Sequence, residues 1–305
     1  MKIAVLYGGV SAEREVSLST GKQIISALES KGHEVIGIDF HPSRLKDLLE
    51  LEADVVFLGL HGKYGEDGRL QGLLDMMGIP YVGSGALASG IAMDKAKSKH
   101  FFKDADINIA KEKVLYRKSY DEKQLELSFD FPAVVKPNRE GSTIGLTIAQ
   151  NHDELLKGIA EAFLHDDTIL VEQFVSGKEV TVAVMGEHNN YKALPVVEIE
   201  PKNAYYDYES KYAEGGSIHY VPARLDESTT AKLQKQAVLA HEVLGCEVYS
   251  RVDFIVPHDG SEPVILEVNT LPGMTPTSLF PDAAKEIGMD YPSMIEKLIE
   301  LSLKK

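Results

Sequence analysis

Residues 250–278, SRVDFIVPHDGSEPVILEVNTLPGMTPTS, carry the densest set of side chains able to do chemistry. Residues 251–256 and 264–269 are rich in Val, Ile and Phe, and the turn-forming cluster PHDGSEP separates them, a hairpin signature. A turn centred on Gly260 places Asp253 opposite Glu267 and Arg251 opposite Asn269. Strand alternation puts these four on one face and Val252, Phe254, Val256, Val264, Leu266 and Val268 on the other. Directly opposed side chains lie roughly 5 Å apart at Cβ, where like charges repel. Two facing carboxylates with an amide beside them suit a cation, and an all-oxygen donor set suits Mg²⁺ or Mn²⁺ over zinc. The competing reading is a solvated polar face on which Arg251 neutralises the acids. The loop TLPGMTPTS favours the metal, because it leaves the strand end where a substrate could meet the cation.

The rest of the chain must position that stretch. Its 305 residues predict two or three domains. A hydrophobic content of 44% and a charged content of 26% are ordinary for a soluble globular protein. The net charge of −15 argues against nucleic-acid or anionic-membrane partners. The single cysteine, Cys246, excludes a disulfide framework. The N-terminal apolar run is too short for a signal peptide, and no run approaches the roughly 20 residues that span a bilayer. A cytoplasmic location is expected.

Residues 2–7, 34–39 and 54–58 read as buried strands, with helices over 17–30 and 68–77, the second closed by Gly78. Such alternation predicts a parallel sheet, with ligands at the carboxyl ends of its strands. Two loops there carry reactive groups: Ser11-Ala12-Glu13-Arg14-Glu15, and residues 61–68, which begin with His61. Glu15, and equally Glu13, could instead be acids favoured by a helix dipole. GSGALASG at 83–90 is an incomplete dinucleotide fingerprint and reads as a connection between domains. A helix follows over 93–103, with Asp94 as N-cap. Its lysines 95, 97, 99 and 103 read as a solvated face, with Lys95 alone placed to meet phosphates.

The strand 131–136 ends in Lys136 and runs into PNREGSTIG, whose glycines suit a phosphate-covering loop. A plain hairpin turn is the alternative. A helix over 153–164 comes next. Strands 168–175 and 179–185, joined at Ser176-Gly177-Lys178, bring Glu172 and Glu179 where they could hold a nucleoside. Residues 203–218, with four tyrosines and paired glycines, form a long functional loop. An amphipathic helix over 227–244 precedes the hairpin, and helices over 282–287 and 292–303 end the chain.

Together GGVSAEREVS, LHGKYGEDG, Asp94-Lys95, KPNREGSTIG, VEQFVSGKE, YYDYESKY, SRVDF and LEVNTLPGMTPTS resemble, in that order and along the whole chain, the D-alanine–D-alanine ligases of the ATP-grasp superfamily. The resemblance implies an α/β, overall α+β, protein of three domains. These are a Rossmann-like substrate domain (1–94), a central ATP-grasp subdomain (95–178) and a C-terminal one with the metal site (179–305). Two small antiparallel sheets would clasp ATP. One D-alanine would be phosphorylated on its carboxylate and joined to the amine of a second, giving a cell-wall precursor dipeptide.

By position, the resemblance assigns Asp253, Glu267 and Asn269 to two Mg²⁺ or Mn²⁺ ions. It gives Lys95 and Lys136 to the nucleotide phosphates and Lys211 to ATP binding. Glu172, Gln173, Phe174 and Val175 meet adenine, and Glu179 the ribose. Glu13 binds the first D-alanine in a hydrogen-bonded set with Ser142 and Tyr212. Arg251 stabilises the acyl phosphate and tetrahedral intermediate, with Gly273 adding backbone. Ser278 takes the second D-alanine's carboxylate, and Ser11, His61 and Leu279 line the pocket. A homodimer is implied. The rivals are a D-alanine–D-lactate or D-alanine–D-serine ligase, and a non-catalytic nucleotide- or amino-acid-binding regulator. The regulator would be expected to lose metal ligands or phosphate lysines, and none is lost. An acyl phosphate hydrolyses in water, so residues 140–145 and 203–218 are the candidate lids.

Overall fold

The computed structural model describes residues 1–201 and 216–305. The expected loop at 203–218 falls mostly outside them, and with it Lys211 and Tyr212.

The first unit alternates β1 (Lys2–Gly8), α1 (Arg14–Ser30), β2 (Glu34–Phe40), α2 (Leu45–Leu49), β3 (Val55–Leu58) and α3 (Arg69–Met77). The strands pair in parallel in the order β2-β1-β3. Every residue of β3 is buried, as a strand covered on both faces requires. Gly78, in the left-handed region at φ 67°, ends α3 as expected.

Residues 83–90 differ from expectation. They enter α4 (Ala86–Met93), and Asp94 links it to α5 (Lys95–Asp104). Ala88, Ser89 and Ala92 are its buried residues, small enough for α4 to pack closely, so what reads as a connection is a helix. Asp94 caps α5 by accepting from Lys97 N at 3.1 Å.

The second unit is an antiparallel sheet in the order β4 (Glu112–Tyr116), β7 (Thr168–Gln173), β5 (Ala133–Pro137), β6 (Thr147–Ala149). The apolar face of α6 (His152–His165) covers it through Leu155, Ile159 and Phe163. The third is a larger antiparallel sheet. It comprises β8 (Gly177–Glu187), β9 (Asn190–Ala193), β10 (Val197–Pro201), β11 (Ser217–Tyr220), β12 (Tyr249–Pro257) and β13 (Val264–Asn269). The order is β11-β10-β8-β12-β13, with β9 beside β8. Helix α7 (Glu227–Val243) packs on this sheet through Leu233, Ala237 and Ala240. Helices α8 (Leu279–Glu286) and α9 (Tyr291–Ser302) return to the first unit, where Phe280, Ile295 and Leu298 join the core of β1 and β3. Strands β4, β6, β9, β10 and β11 are short or strongly polar, and the sequence reading does not anticipate them.

The hairpin has the anticipated register at its functional end: Arg251 pairs with Asn269, and Asp253 with Glu267. A bulge after Asp253 then shifts the pairing, so Phe254 faces Ile265. The bulge exchanges the expected core residue. Ile265 is fully buried, whereas Leu266 is only partly so. An added residue in one strand flips the side-chain alternation beyond it.

Candidate active site

A cleft of about 980 Å³ opens between the three units. Glu13, His61, Lys95, Ser142 and Arg251 line it. So do Glu267, Asn269, Gly273, Ser278 and Leu279. Asp253, Lys136, Glu172, Gln173, Phe174, Val175, Glu179 and Ser11 are not on its wall.

Glu13 sits where β1 turns into α1, and its carboxylate is buried. Of its two readings the dipole-favoured acid belongs to exposed Glu15, in the first turn of α1. Glu13 instead accepts from Ser142 Oγ at 2.5 Å, across 129 residues of sequence. Ser142 and Thr143 are both left-handed, at φ 51° and 62°. Consecutive non-glycine residues there cost roughly 1–2 kcal/mol each. Docking on Glu13 therefore helps hold the glycine-rich loop in a conformation that it would otherwise avoid. Ser11 supports the turn, donating to His61 O at 2.8 Å.

His61 is buried, with Nδ1 3.2 Å from Leu271 O and Nε2 3.2 Å from Thr20 Oγ1. A carbonyl can only accept, so Nδ1 carries the proton and Nε2 accepts from the threonine. Burial lowers the imidazole pKa, outweighing the attraction of Glu13, and keeps the ring neutral. Glu66 also lines the cleft and was not singled out in the sequence. Its burial, then the negative Glu13, push its carboxyl up to about 8 even though Gly62 N donates to it. The signal was its place in the loop begun by His61.

In the hairpin, Asp253 lies between Thr181 of β8 and Glu267 of β13. Arg251 grips Asp253 with two hydrogen bonds, at 2.9 and 2.8 Å. Thr181 Oγ1 donates to it at 2.5 Å and Asn269 Nδ2 at 3.0 Å. Glu267 meets Lys95 Nζ at 3.1 Å. The neutralising role weighed for Arg251 is thus real for Asp253, and Lys95 does the same for Glu267. Among the described residues no three His, Cys, Asp or Glu side chains gather as a metal cage. The hairpin offers two carboxylates and the amide oxygen of Asn269, donors that fit a hard divalent cation sharing its shell with phosphate oxygens. Two acids that each hold a side-chain cation already present the charge such an ion needs.

Lys95 also donates to Glu140 O at 2.9 Å, joining α5 to the glycine-rich loop. Burial would lower its pKa, but the acids around it, Glu267 foremost and then Glu172 and Glu66, together outweigh that and raise it. Next to the cleft, Glu172 is paired with Lys136 at 3.0 Å and with Lys99 at 2.7 Å. Burial would raise the Glu172 pKa, yet these lysines hold it down at about 2. Lys136 is itself lowered, by burial first and by the neighbouring Lys99 and Lys95 charges. The reading of Lys99 as solvated is incorrect: it is 1% exposed. Helical spacing places it one turn beyond Lys95 on the face that packs against β4 and β7. Phe174 and Val175, expected in a strand, lie past the end of β7.

On the far side, Ser278 is the N-cap residue of α8 but makes no side-chain cap bond. Its Oγ instead accepts from Thr275 N at 3.1 Å. The first-turn N–H groups of α8 present partial positive charge to the cleft, which suits a carboxylate. A Cβ on Gly273 would lie 3.1 Å from Ser278 Oγ, so only glycine leaves that wall undisturbed.

Two antiparallel sheets beside a parallel one, with Lys95 and several acids meeting in the cleft among them and the Lys136–Glu172 pair next to it, define an ATP-grasp protein. Comparison with known proteins makes the assignment specific. The D-ala D-ala ligase N-terminus family matches residues 41–84, and the D-ala D-ala ligase C-terminus family residues 101–300. A D-alanine--D-alanine ligase of Halalkalibacterium halodurans is 64% identical over 305 residues, the whole of both chains. One from Citrifermentans bemidjiense is 45% identical over 98% of this chain and 95% of its own. The structure of D-alanine--D-alanine ligase from Bacillus anthracis complexed with ATP superposes with a TM-score of 0.85 at 36% identity, covering 100% of this chain and 97% of that one. VanG D-Ala:D-Ser ligase from Enterococcus faecalis superposes with 0.86 at 33% identity, covering 99% of each. The chain belongs to the D-alanine–D-alanine ligase family.

Proposed function

We propose that this chain joins two D-alanines into D-alanyl-D-alanine at the expense of ATP, for cell-wall precursor synthesis. A carboxylate oxygen of the first D-alanine attacks the γ-phosphorus and ADP leaves. The amine of the second attacks the acyl carbon, and the tetrahedral intermediate expels phosphate. A carboxylate resists direct attack by an amine because its charge repels nucleophiles and oxide does not leave. Phosphorylation removes both obstacles, so no nucleophilic side chain is needed.

The observation that carries this reading is the meeting of Glu13, Ser142, Lys95, Glu267 and Arg251 in one cleft from three separate units. Glu13, fixed by Ser142, takes the ammonium of the first D-alanine. Lys95, on the cleft wall, and Lys136, beside it, draw phosphate oxygens in this reading. Glu172, with the backbone of Gln173, Phe174 and Val175, meets the purine, and Glu179 the ribose. Arg251 faces the oxyanion, with Gly273 backbone beside it. The helix end at Ser278 and the wall at Leu279 seat the second substrate, and neutral His61 supports that wall through Leu271. Asp253, Glu267 and Asn269 would hold Mg²⁺ or Mn²⁺, whose charge would shield the triphosphate from the incoming carboxylate. Lys211 and Tyr212 are assigned from the sequence alone.

The three units divide at about 94 and 178, a division supported by the change of sheet after Asp94 and at Gly177. Among the described residues no helix is long and apolar enough to cross a membrane. Dependence on ATP favours a cytoplasmic location. A homodimer is part of this reading, and sedimentation velocity checks it.

The deciding experiment is ADP release with D-alanine, L-alanine, D-serine and D-lactate supplied singly and in pairs. D-Alanine alone should support full turnover, and equal turnover with L-alanine refutes the reading. D-Serine is included because VanG is so similar in fold. Preferential D-alanyl-D-serine formation would move the assignment to that product.

A further inference from the structure

Helix α5 carries lysines at 95, 99 and 103, spaced by four and therefore on one face. Each meets acid. Lys95 holds Glu267 at 3.1 Å. Lys99 lies 2.7 Å from Glu172 and 3.4 Å from Glu112. Lys103 lies 3.2 Å from Glu112.

Lys99 stands apart because it is enclosed. Its side chain is 1% exposed, and those of Glu112 and Glu172 are 7% and 4% exposed. Glu112 and Glu172 are direct cross-strand partners on β4 and β7. Like charges so placed repel, and burial removes the water that would screen them. The charge of Lys99 lies 2.7 Å from Glu172 and 3.4 Å from Glu112 and so offsets both acids.

Lys136 is the second cation on Glu172, and it has another duty. An ammonium that draws a phosphate oxygen must divide its three N–H groups, and its charge, between that oxygen and Glu172. Lys99 is enclosed, with its side chain 1% exposed against 12% for Lys136, and has no such alternative. We propose that Lys99 is a positioning residue for the nucleotide: it is the standing counter-ion of Glu172, and so frees Lys136 for phosphate. Glu112 holds Lys99 in place from the other side. The inference rests on reading Lys136 and Glu172 as nucleotide contacts.

The test compares ATP with ITP, which has the same phosphates but a carbonyl in place of the exocyclic amine. Lys99→Met should raise KM for ATP about tenfold or more, move KM for D-alanine less than about twofold, and weaken the preference for ATP over ITP. Lys99→Met leaves the two acids without their shared cation, a threat to folding, so Lys99→Met/Glu112→Gln is made beside it. The double variant should recover the thermal midpoint yet keep the raised KM for ATP and the weakened preference. Wild-type KM and preference in the double variant overturn the proposal. Glu172→Gln separates the two levels. If it alone loses the preference, the role of Lys99 falls and the reading of Glu172 stands. If it too keeps the preference, both fall.

Discussion

Glu267→Gln removes one charge and almost no volume. In the protein without nucleotide, its first effect is on Lys95. The pair is 3.1 Å apart, with side chains 10% and 23% exposed. At an effective dielectric of about 20, that separation corresponds to a gross attraction of about 5 kcal/mol. Partial hydration of Glu267 and relaxation of the lysine reduce the net loss to about 2–3 kcal/mol, at the lower end for breaking a buried pair. The thermal midpoint should fall by roughly 5 °C or more. The second effect is on the cation. With one of two facing carboxylates neutral, half-saturation by Mg²⁺ should move to higher concentration. Turnover at saturating D-alanine should drop at least ~100-fold, about 2.7 kcal/mol. The assay is coupled ADP release across a Mg²⁺ titration, with differential scanning fluorimetry on the same samples. Glu267→Asp keeps the charge on a shorter stem and should recover part of the Mg²⁺ response. Turnover near wild type at every Mg²⁺ concentration, with an unchanged midpoint, would refute the reasoning. It would mean that neither Lys95 nor the cation depends on this carboxylate.

Ser142→Ala deletes the donor to Glu13 and one constraint on a strained loop. KM for the first D-alanine should rise about tenfold or more, as loss of a hydrogen bond to a charged group predicts, and an unchanged KM would show that the contact is incidental. Gly273→Ala puts a methyl 3.1 Å from Ser278 Oγ. Because that wall faces the second substrate, its KM should rise while ATP binding, read by fluorescent-nucleotide displacement, stays as it is. His241 has a pH consequence: burial lowers its pKa from 6.5 to about 3. Below 6.5 the unfolded chain takes a proton that the folded chain refuses, so stability is present above 6.5 and lost as pH falls. Between pH 6.5 and about 5 this one group should cost about 2 kcal/mol. His241→Met should flatten that limb of a urea-denaturation series, and an identical slope in both proteins would count against it.

The hairpin was legible because everything that determines it is local. Alternating apolar residues, a Gly/Pro turn and two acids at matching distances from it need no partner to be read. The same holds for Asp94, a capping side chain three residues from the N–H it receives, and for the parallel strands of the first unit. Tertiary structure decided what depends on a partner distant in sequence. A bulge after Asp253 brings Ile265, not Leu266, into the core. Helix periodicity groups Lys95, Lys99 and Lys103 on one face, but it cannot say whether water or β4 and β7 will cover that face. Packing buried Lys99 between Glu112 and Glu172 and left Lys95 on the cleft. Glu13 and Ser142 belong to different units, so their contact exists only once the glycine-rich loop lies over the carboxyl end of β1. Glu66 is an ordinary loop acid in the sequence. Enclosure beside Glu13 pushes its carboxyl up to about 8, because the energy of a charge is set by what surrounds it in space.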